Sequence, residues 1–580
     1  MAHPNEELIA VLAELAALMT LEEGPQSFRV RAYENALHGV RAHRGDLRAL
    51  SVKELAAIEG IGKSTAQKIR EFFDTGRVTR LEELRRKFPP AYVELSRIPG
   101  LGPRTLARLR SELGIESVAD LRRAIEARQL RELPGLGEKT EANLARAIER
   151  LGLAGKHRRT PIAEAMPVAE RVAAALAALP DVSHAEVCGS LRRLRETVAD
   201  IDIVVASAAP QVVMERVAGV AEAVEVEGGG RKASLRVGGA AGGLQVDVRV
   251  VEPHQLGAAM IYFTGSRQHN IALRQRALER GWTLNEYALK EIAGGRVIAS
   301  RSEEEVYGAL GLPFIPPAMR EGQGEIEAAE AGALPRAVAE EDLRGDLHLH
   351  TTYSGDGHSS LEEVVAEAAA RGYRYIAITD HGEDLVMNGV SRERMLEQRG
   401  RIAALQERYP DLRILHGVEL NIGPDGGLDY DEEFRRGFDW CVAAVHSHFD
   451  LEPARQTARL IAAMRDPTVN VIGHLSGRRI GRRPGIDFDV DAVLDAAADT
   501  GCAIEINSAL PRLDAAAEVL LRARDRAVTF VISTDAHHIG ELTRTRWGVR
   551  HATRGWVPPD AIANTWPAPR FLEWAATRRR

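Results

Sequence analysis

Two acidic residues two positions apart, Asp200 and Asp202, stand in Asp200-Ile201-Asp202-Ile203-Val204-Val205. Apolar and acidic residues alternate there before a β-branched run, which is the pattern of a strand. Residues i and i+2 of a strand share a face, so both carboxylates point the same way. Held side by side they repel unless a cation sits between them, and Mg²⁺, which takes a few carboxylates plus substrate phosphates, suits the pair. Just upstream, in Val187-Cys188-Gly189-Ser190-Leu191-Arg192-Arg193, the Gly189-Ser190 turn lets backbone come close to a phosphate, and Arg193 offers planar donors. An Asp-x-Asp alone is often only an exposed strand face. With this turn ahead of it, it describes a nucleoside triphosphate site.

A second set of chemical residues fills the last 240 or so positions. Seven strand-like runs end in metal-type side chains: Asp346 to His350, Tyr375 to His381, Ile414 to Glu419, Val442 to His446, Val471 to His474, Ala503 to Asn507 and Val531 to His537. Helical segments separate them, so a β/α barrel with its site at the C-terminal strand ends is expected. One histidine after a strand is usually packed or solvated. Six of them, gathered with Asp356, Glu419 and Asp535, are not explained by packing. Nitrogen and oxygen ligation of this kind suits zinc or manganese.

The N-terminal third repeats one unit. Ala57 to Ser64, Arg97 to Arg104 and Glu132 to Lys139 are three versions of a hairpin between helices, carrying the pairs Gly60/Gly62, Gly100/Gly102 and Gly135/Gly137. Each Gly-x-Gly frees backbone N–H groups at a helix start, where the dipole also favours an anion, so DNA phosphates could be gripped without reading sequence. One such turn is often just a packing corner; three are a pattern, although the third could be purely structural. The flanking segment from Asn5 to about Ala49 has helical spacing of Leu8, Val11, Leu12, Leu15 and Leu18.

At 580 residues the chain needs three or more domains. Its net charge of −7 does not announce a nucleic-acid binder, so any basic surface must be local. Cys188, Cys441 and Cys502 are too scattered for a disulfide framework or a cysteine zinc site. No apolar run reaches membrane length and the N-terminus lacks a basic region followed by an apolar one, so a cytoplasmic protein with no membrane partner is expected.

The stretch around Gly189 and Asp202 resembles the nucleotidyltransferase superfamily and, within it, the DNA polymerase X family, over residues 1 to about 317. That resemblance implies a two-metal site using Mg²⁺ or Mn²⁺. It supplies a third carboxylate, Asp247 in Gly243 to Val250, to orient the primer 3′-hydroxyl and accept its proton, while Asp200 and Asp202 carry both metals. It further implies that Tyr262-Phe263-Thr264-Gly265 packs on the incoming sugar, that Asn270 meets the base edge and that Arg274 touches the template. The three hairpins resemble helix-hairpin-helix motifs. In the first, Lys68 matches the family lysine that forms a Schiff base with an abasic sugar, and Arg29 and Tyr33 match its 5′-phosphate pocket. A second lysine expected in that pocket is Ser64 here, with Lys63 beside it, and a plain DNA contact by Lys68 is an equal alternative.

The barrel resembles the PHP (polymerase and histidinol phosphatase) domain. The implied ligands of up to three Zn²⁺ or Mn²⁺ ions are His348, His350, Asp356, His381, Glu419, His446, His474, Asp535 and His537; Gly355 is an extra residue before Asp356. Together these readings give a multidomain chain: a helical lyase-like domain (1–90), a helix-hairpin-helix DNA-gripping subdomain (91–155), an α+β nucleotidyltransferase palm (156–254), a nucleotide-binding subdomain (255–317), a linker (318–342) rich in Ala, Glu and Gly, and a (β/α)7 PHP barrel (343–580). The implied function is gap-filling DNA polymerase in base excision repair, working as a monomer on gapped or primer-template DNA with dNTPs, plus 3′-5′ exonuclease activity, with abasic-site endonuclease and 3′-phosphatase as further activities open to the barrel. Two other classes stay open: a DNA-end-binding scaffold with a structural barrel, and a small-molecule phosphatase.

Overall fold

The computed structural model describes residues 5–23, 27–43, 45–58, 60–88, 95, 98, 101, 103–133, 135–150, 159–220, 223–237 and 243–577. The chain divides into two compact units, Met1–Arg159 with Gly481–Pro484, and Thr160–Ile480 with Gly485–Arg580.

The first unit is helical. α1 (Glu6–Glu23) and α2 (Phe28–Ala42) pair through Leu8, Leu12, Leu15, Val30, Ala36 and Val40, all buried. Ser27 caps α2 by accepting from the Arg29 amide. α3 (Lys63–Thr75) follows the first Gly-x-Gly and buries Ala66 and Ile69 in the same core. Gly60 has φ +82°, and a Cβ there would stand 2.5 Å from the Asn35 carbonyl oxygen, so this corner requires glycine.

In the second unit, α4 (Ile162–Ala177) lies on a five-stranded sheet of β1 (Val182–Val187), β2 (Ile201–Ser207), β3 (Ala223–Gly229), β4 (Lys232–Val237) and β5 (Leu244–Val251), in the order β1-β2-β5-β4-β3. Ile201, Ile203 and Val205 of β2, with Val246, Val248 and Val250 of β5, bury one face against α4. The alternate residues face the other way, toward α5 (Leu256–Thr264), which is followed by α6 (Arg267–Leu278).

The barrel strands are β6 (Gly345–Leu349), β7 (Tyr375–Ile378), β8 (Arg413–Asn421), β9 (Trp440–Ala444), β10 (Val471–Ile472), β11 (Ala503–Asn507) and β12 (Phe530–Ser533). All are parallel and neighbours in chain order, and a bridge from Leu349 to Ala536 links the first to the last. The two later helices are α7 (Thr545–Arg554) and α8 (Ala568–Thr577); Phe571 of α8 stacks on Tyr375 at 4.1 Å, closing the barrel floor.

The stretch 318–342, expected as a linker, is folded. Arg320 is fully buried, donating to Glu303 at 2.6 Å and to the Ile315 carbonyl at 2.8 Å between the rings of Tyr307 and Phe314. Glu325 accepts from His269 at 2.7 Å, and Val338 joins the barrel core. Polar anchors of this kind leave no apolar period in the sequence, which is why composition alone suggests a tether. The palm and barrel are likewise packed together: Leu513 and Trp547 belong to the same apolar core as α4 and β2.

Candidate functional sites

β2 and β5 run parallel with Asp202 directly opposite Asp247, and Asp200 immediately precedes β2. Three carboxylates thus meet at one end of the sheet. Burial, followed by the charges of Asp200 and Asp247, pushes Asp202 up to about 7. A carboxylate cluster under this strain fits divalent cations, with Asp200, Asp202 and Asp247 as the residues that could hold them. The Ser234 hydroxyl donates to Asp247 Oδ1 at 2.5 Å and the Gln245 amide does so at 3.2 Å.

The turn at Gly189 lies against this cluster. Cys188 donates its amide to the Asp202 carbonyl at 2.7 Å, and Gly189, at φ +61°, presents its Cα so closely that a Cβ would stand 2.1 Å from Asp202 Oδ2. Ser190 follows in a four-residue helical turn, Gly189–Arg192. Arg193 does not project freely as the sequence suggested: its Nε donates to Glu321 at 2.9 Å and its Nη1 to the Thr264 carbonyl. Arg192 reaches Glu303 at 2.7 Å and the Thr264 hydroxyl at 2.8 Å. Thr264 and Gly265 therefore join the turn through arginines. Tyr262 and Phe263 meet edge to face at 5.1 Å, Arg274 lies 5.3 Å over Tyr262, and Arg249 lies 5.3 Å over Phe263. Asn270 donates to the Tyr262 carbonyl at 2.8 Å, while its buried Oδ1 has no partner.

At the C-terminal end of the barrel the nine expected ligands converge. Three groups have donor atoms within 4.8 Å of one another: His348, His350 and Asp535; His350, His381 and His537; His381, Glu419 and His446. Asp356 lies 3.3 Å from His381 and 3.5 Å from His537, and His474 lies 2.9 Å from Glu419. Nε2 of His348 and of His350, and Nδ1 of His381, are buried without hydrogen-bond partners, although Glu419 Oε2 stands 3.5 Å from His350 and 2.7 Å from His381. Buried ring nitrogens that lack hydrogen-bond partners, gathered around Glu419 and Asp535, form a cage that metal ions fit. Burial opposes charge on His381, yet Glu419 and Asp356 outweigh it and hold the ring up to about 10; burial and the neighbouring His537 and His381 bring His350 down to about 4. His474 and Asp535 also hold left-handed backbones, at φ 25° and 52°.

Several site residues were missed in the sequence. Glu505 accepts from His348 Nδ1 at 2.7 Å and from the His474 amide at 2.5 Å; Asn388 donates to Asp356 at 2.6 Å; Asn421 meets His446 Nδ1 at 2.8 Å; and Arg512 lies 3.3 Å from Asp535 with a buried Nη1 lacking a partner. Asn421 ends its strand, which was an available signal, whereas Glu505 lies inside the Ala503–Asn507 strand run.

In the first unit, Lys68 donates to the Ser64 hydroxyl at 3.0 Å and lies 5.8 Å over the Tyr33 ring. Burial, with Arg29 and Arg80 beside it, lowers its amine. Arg29 is exposed and pairs with Glu23 at 2.9 Å. Gly62 and Lys63 start α3 exposed, with no acidic residue in its first turn. Gly135 and Gly137 precede a helix that opens with Glu138 and Glu141, both paired with Arg131, at 3.1 and 2.7 Å. Gly100 and Gly102 lie outside the described residues.

A carboxylate-lined palm with its thumb, joined to a histidine-lined seven-stranded barrel, defines a nucleotidyltransferase combined with a metal-dependent phosphoesterase. Residues 259–321 match the DNA polymerase beta thumb, 3–78 a helix-hairpin-helix domain, 92–150 a SAM-like helix-hairpin-helix tandem and 346–509 the PHP domain. The chain is 36% identical over 563 residues, 97% of each protein, to DNA polymerase/3′-5′ exonuclease PolX of Bacillus subtilis (strain 168). It belongs to the DNA polymerase X family in its PHP-bearing form, and is an enzyme. Its barrel is also similar to a probable phosphatase of Thermoanaerobacter sp. (strain X514), 30% identical over 38% of this chain and 89% of that protein. No described helix is long and apolar enough to cross a membrane, and the three cysteines are buried and form no disulfide.

Proposed function

We propose that this protein is a DNA polymerase that fills short gaps during DNA repair and trims 3′ ends with its barrel. The reading rests above all on the pairing of Asp202 with Asp247 beside the Gly189 turn. Asp200, Asp202 and Asp247 would hold Mg²⁺ or Mn²⁺, which neutralise charge on the nucleotide phosphates. Ser234 and Gln245 both donate to Oδ1 of Asp247, leaving Oδ2 to accept the proton of the primer 3′-hydroxyl. Ser190 and the turn's amides would hold the dNTP phosphates, and Tyr262 with Phe263 would form the wall against its sugar. In the barrel the nine-residue cage would hold Zn²⁺ or Mn²⁺, with His348 oriented by Glu505.

Extension and degradation of a gapped, end-labelled DNA tests both sites at once. Asp202→Ala should abolish incorporation and keep 3′-end degradation; His350→Ala or Asp535→Ala should do the reverse and lower bound metal. Normal gap filling by Asp202→Ala would refute the palm assignment. Digestion unchanged in both barrel variants would leave the barrel a scaffold, and hydrolysis of a sugar phosphomonoester but not of DNA would make it a phosphatase.

A second reading, 5′-deoxyribose phosphate lyase activity, is favoured by the lowered, partly buried amine of Lys68 against Tyr33. The amine would condense with the sugar aldehyde, losing water, to give a Schiff base. Borohydride should trap this adduct in the wild type but not in Lys68→Ala. Wild-type protein that binds the incised DNA without trapping makes Lys68 a phosphate contact.

A further inference from the structure

The Gly189–Arg192 turn is a single helical turn, too short to satisfy its own C-terminal carbonyls. Those of Arg192 and Arg193 are met from the barrel. On α7, Arg550 Nη2 donates to the Arg192 carbonyl at 2.9 Å, and Arg554 Nη1 donates to the Arg193 carbonyl at 2.9 Å. Arg554 also reaches Glu321 at 2.9 Å, the same carboxylate that receives Arg193 Nε at 2.9 Å. Trp547, on the same helix, is inside the palm core, and Arg546 pairs with Glu170 of α4 at 3.0 Å. Both guanidiniums are deeply set: Arg554 is only 6% exposed, and Arg550 lies over the Trp547 ring at 5.2 Å.

We infer that Arg550 and Arg554 of the barrel are positioning residues of the polymerase site, holding the carbonyl end of the turn so that its amide end meets the triphosphate. The inference deepens the proposed function and rests on the reading of Gly189–Arg193 as the phosphate grip. Each cation at the C-terminal end of the turn also complements the local backbone dipole. With the carbonyls released, the turn keeps the Cys188 amide bond to Asp202 and the contacts of Arg192 and Arg193 with Glu303, Thr264 and Glu321, but its C-terminal end loses its backbone support and can shift relative to Asp202. Nucleotide binding then weakens, while the barrel's own metal ligands, carried on other strand ends, are left in place.

Arg550→Met and Arg554→Met keep the aliphatic stems and remove the donors. In the full-length protein each should raise the KM and the Kd for a correct dNTP about tenfold, the scale of one lost charge-assisted hydrogen bond. The rate at saturating dNTP should stay within about threefold and 3′-end degradation should be unchanged. Arg554→Lys should recover part of the loss. Ser190→Ala runs alongside. If it raises the dNTP KM while both Met variants leave KM and Kd alone, the positioning role is refuted and the grip stands. If Ser190→Ala also leaves them alone, the grip reading fails and the inference falls with it. Retained exonuclease activity and an unchanged melting temperature certify folding; should one Met variant unfold, the other carries the same test at the neighbouring carbonyl.

Discussion

Replacing Gly189 with alanine strikes the palm at its tightest point. The new methyl group would stand 2.1 Å from Asp202 Oδ2, where ordinary contact begins at 3.4 Å, and the residue would have to keep φ at +61°. Left-handed backbone costs a non-glycine residue about 1–2 kcal/mol, a tolerable loss for a chain of this size. The overlap is the larger effect, because neither partner can yield cheaply: Asp202 is fixed on a central strand opposite Asp247, and the turn is bonded to the Asp202 carbonyl through Cys188. Either the carboxylate or the turn must move by roughly 1 Å, and displacements of that size in a positioned site cost about a hundredfold in rate. Single-nucleotide incorporation on a gapped duplex, followed under single-turnover conditions, should therefore fall at least about a hundredfold for Gly189→Ala. Degradation of a 3′-labelled strand should remain normal. Incorporation within about threefold of the wild type would mean that Asp202 is not held where the turn and the second strand put it, and the geometric argument would fail.

Other perturbations separate the remaining parts. Glu505→Gln removes the carboxylate that orients His348, and should weaken barrel metal retention against a chelator, and exonuclease rate with it, about 10–100-fold, as measured by elemental analysis and digestion. Glu303→Gln leaves Arg192 and Arg320 without their shared partner, and should destabilise the second unit by about 3–5 kcal/mol in urea unfolding. His551 is fully buried, and burial followed by the charge of Arg478 brings it down to about 3 from an ordinary 6.5. The unfolded chain then takes up a proton that the native state refuses, so stability present above pH 6.5 is lost as pH falls toward 3. Melting temperatures between pH 7 and 5 should fall less steeply in His551→Gln.

Much of both sites was legible because their signals are local. Asp200 and Asp202 share a face by strand period alone, and the barrel histidines lie in or just after strand-like runs, as His446 follows Val442 to Val445. What the sequence concealed is pairing between distant positions. Glu505 reaches His348 across 157 positions, so it read as an ordinary strand residue until the neighbouring strands were aligned. Arg193 is a second case: its Nε donates to Glu321, 128 positions away in the supposed linker, a partner the sequence did not connect to the turn. That linker was misread for the same reason, since its anchors are buried polar pairs, Arg320 with Glu303 and Glu325 with His269, which carry no apolar rhythm.

The strand order of the barrel has a consequence for the growing chain. Its seven strands are laid down in the order in which they neighbour one another, and Leu349 bridges to Ala536 only when the last is in place. Asp535 and His537 arrive with that strand, and the helix whose arginines meet the palm turn is made directly after it. A ribosome-bound chain that has already exposed its whole palm therefore holds neither the completed cage nor the buttressed turn. Synthesis order thus withholds the complete ligand set of the barrel and the full support of the palm turn until the last strand of the barrel and the helix after it have emerged.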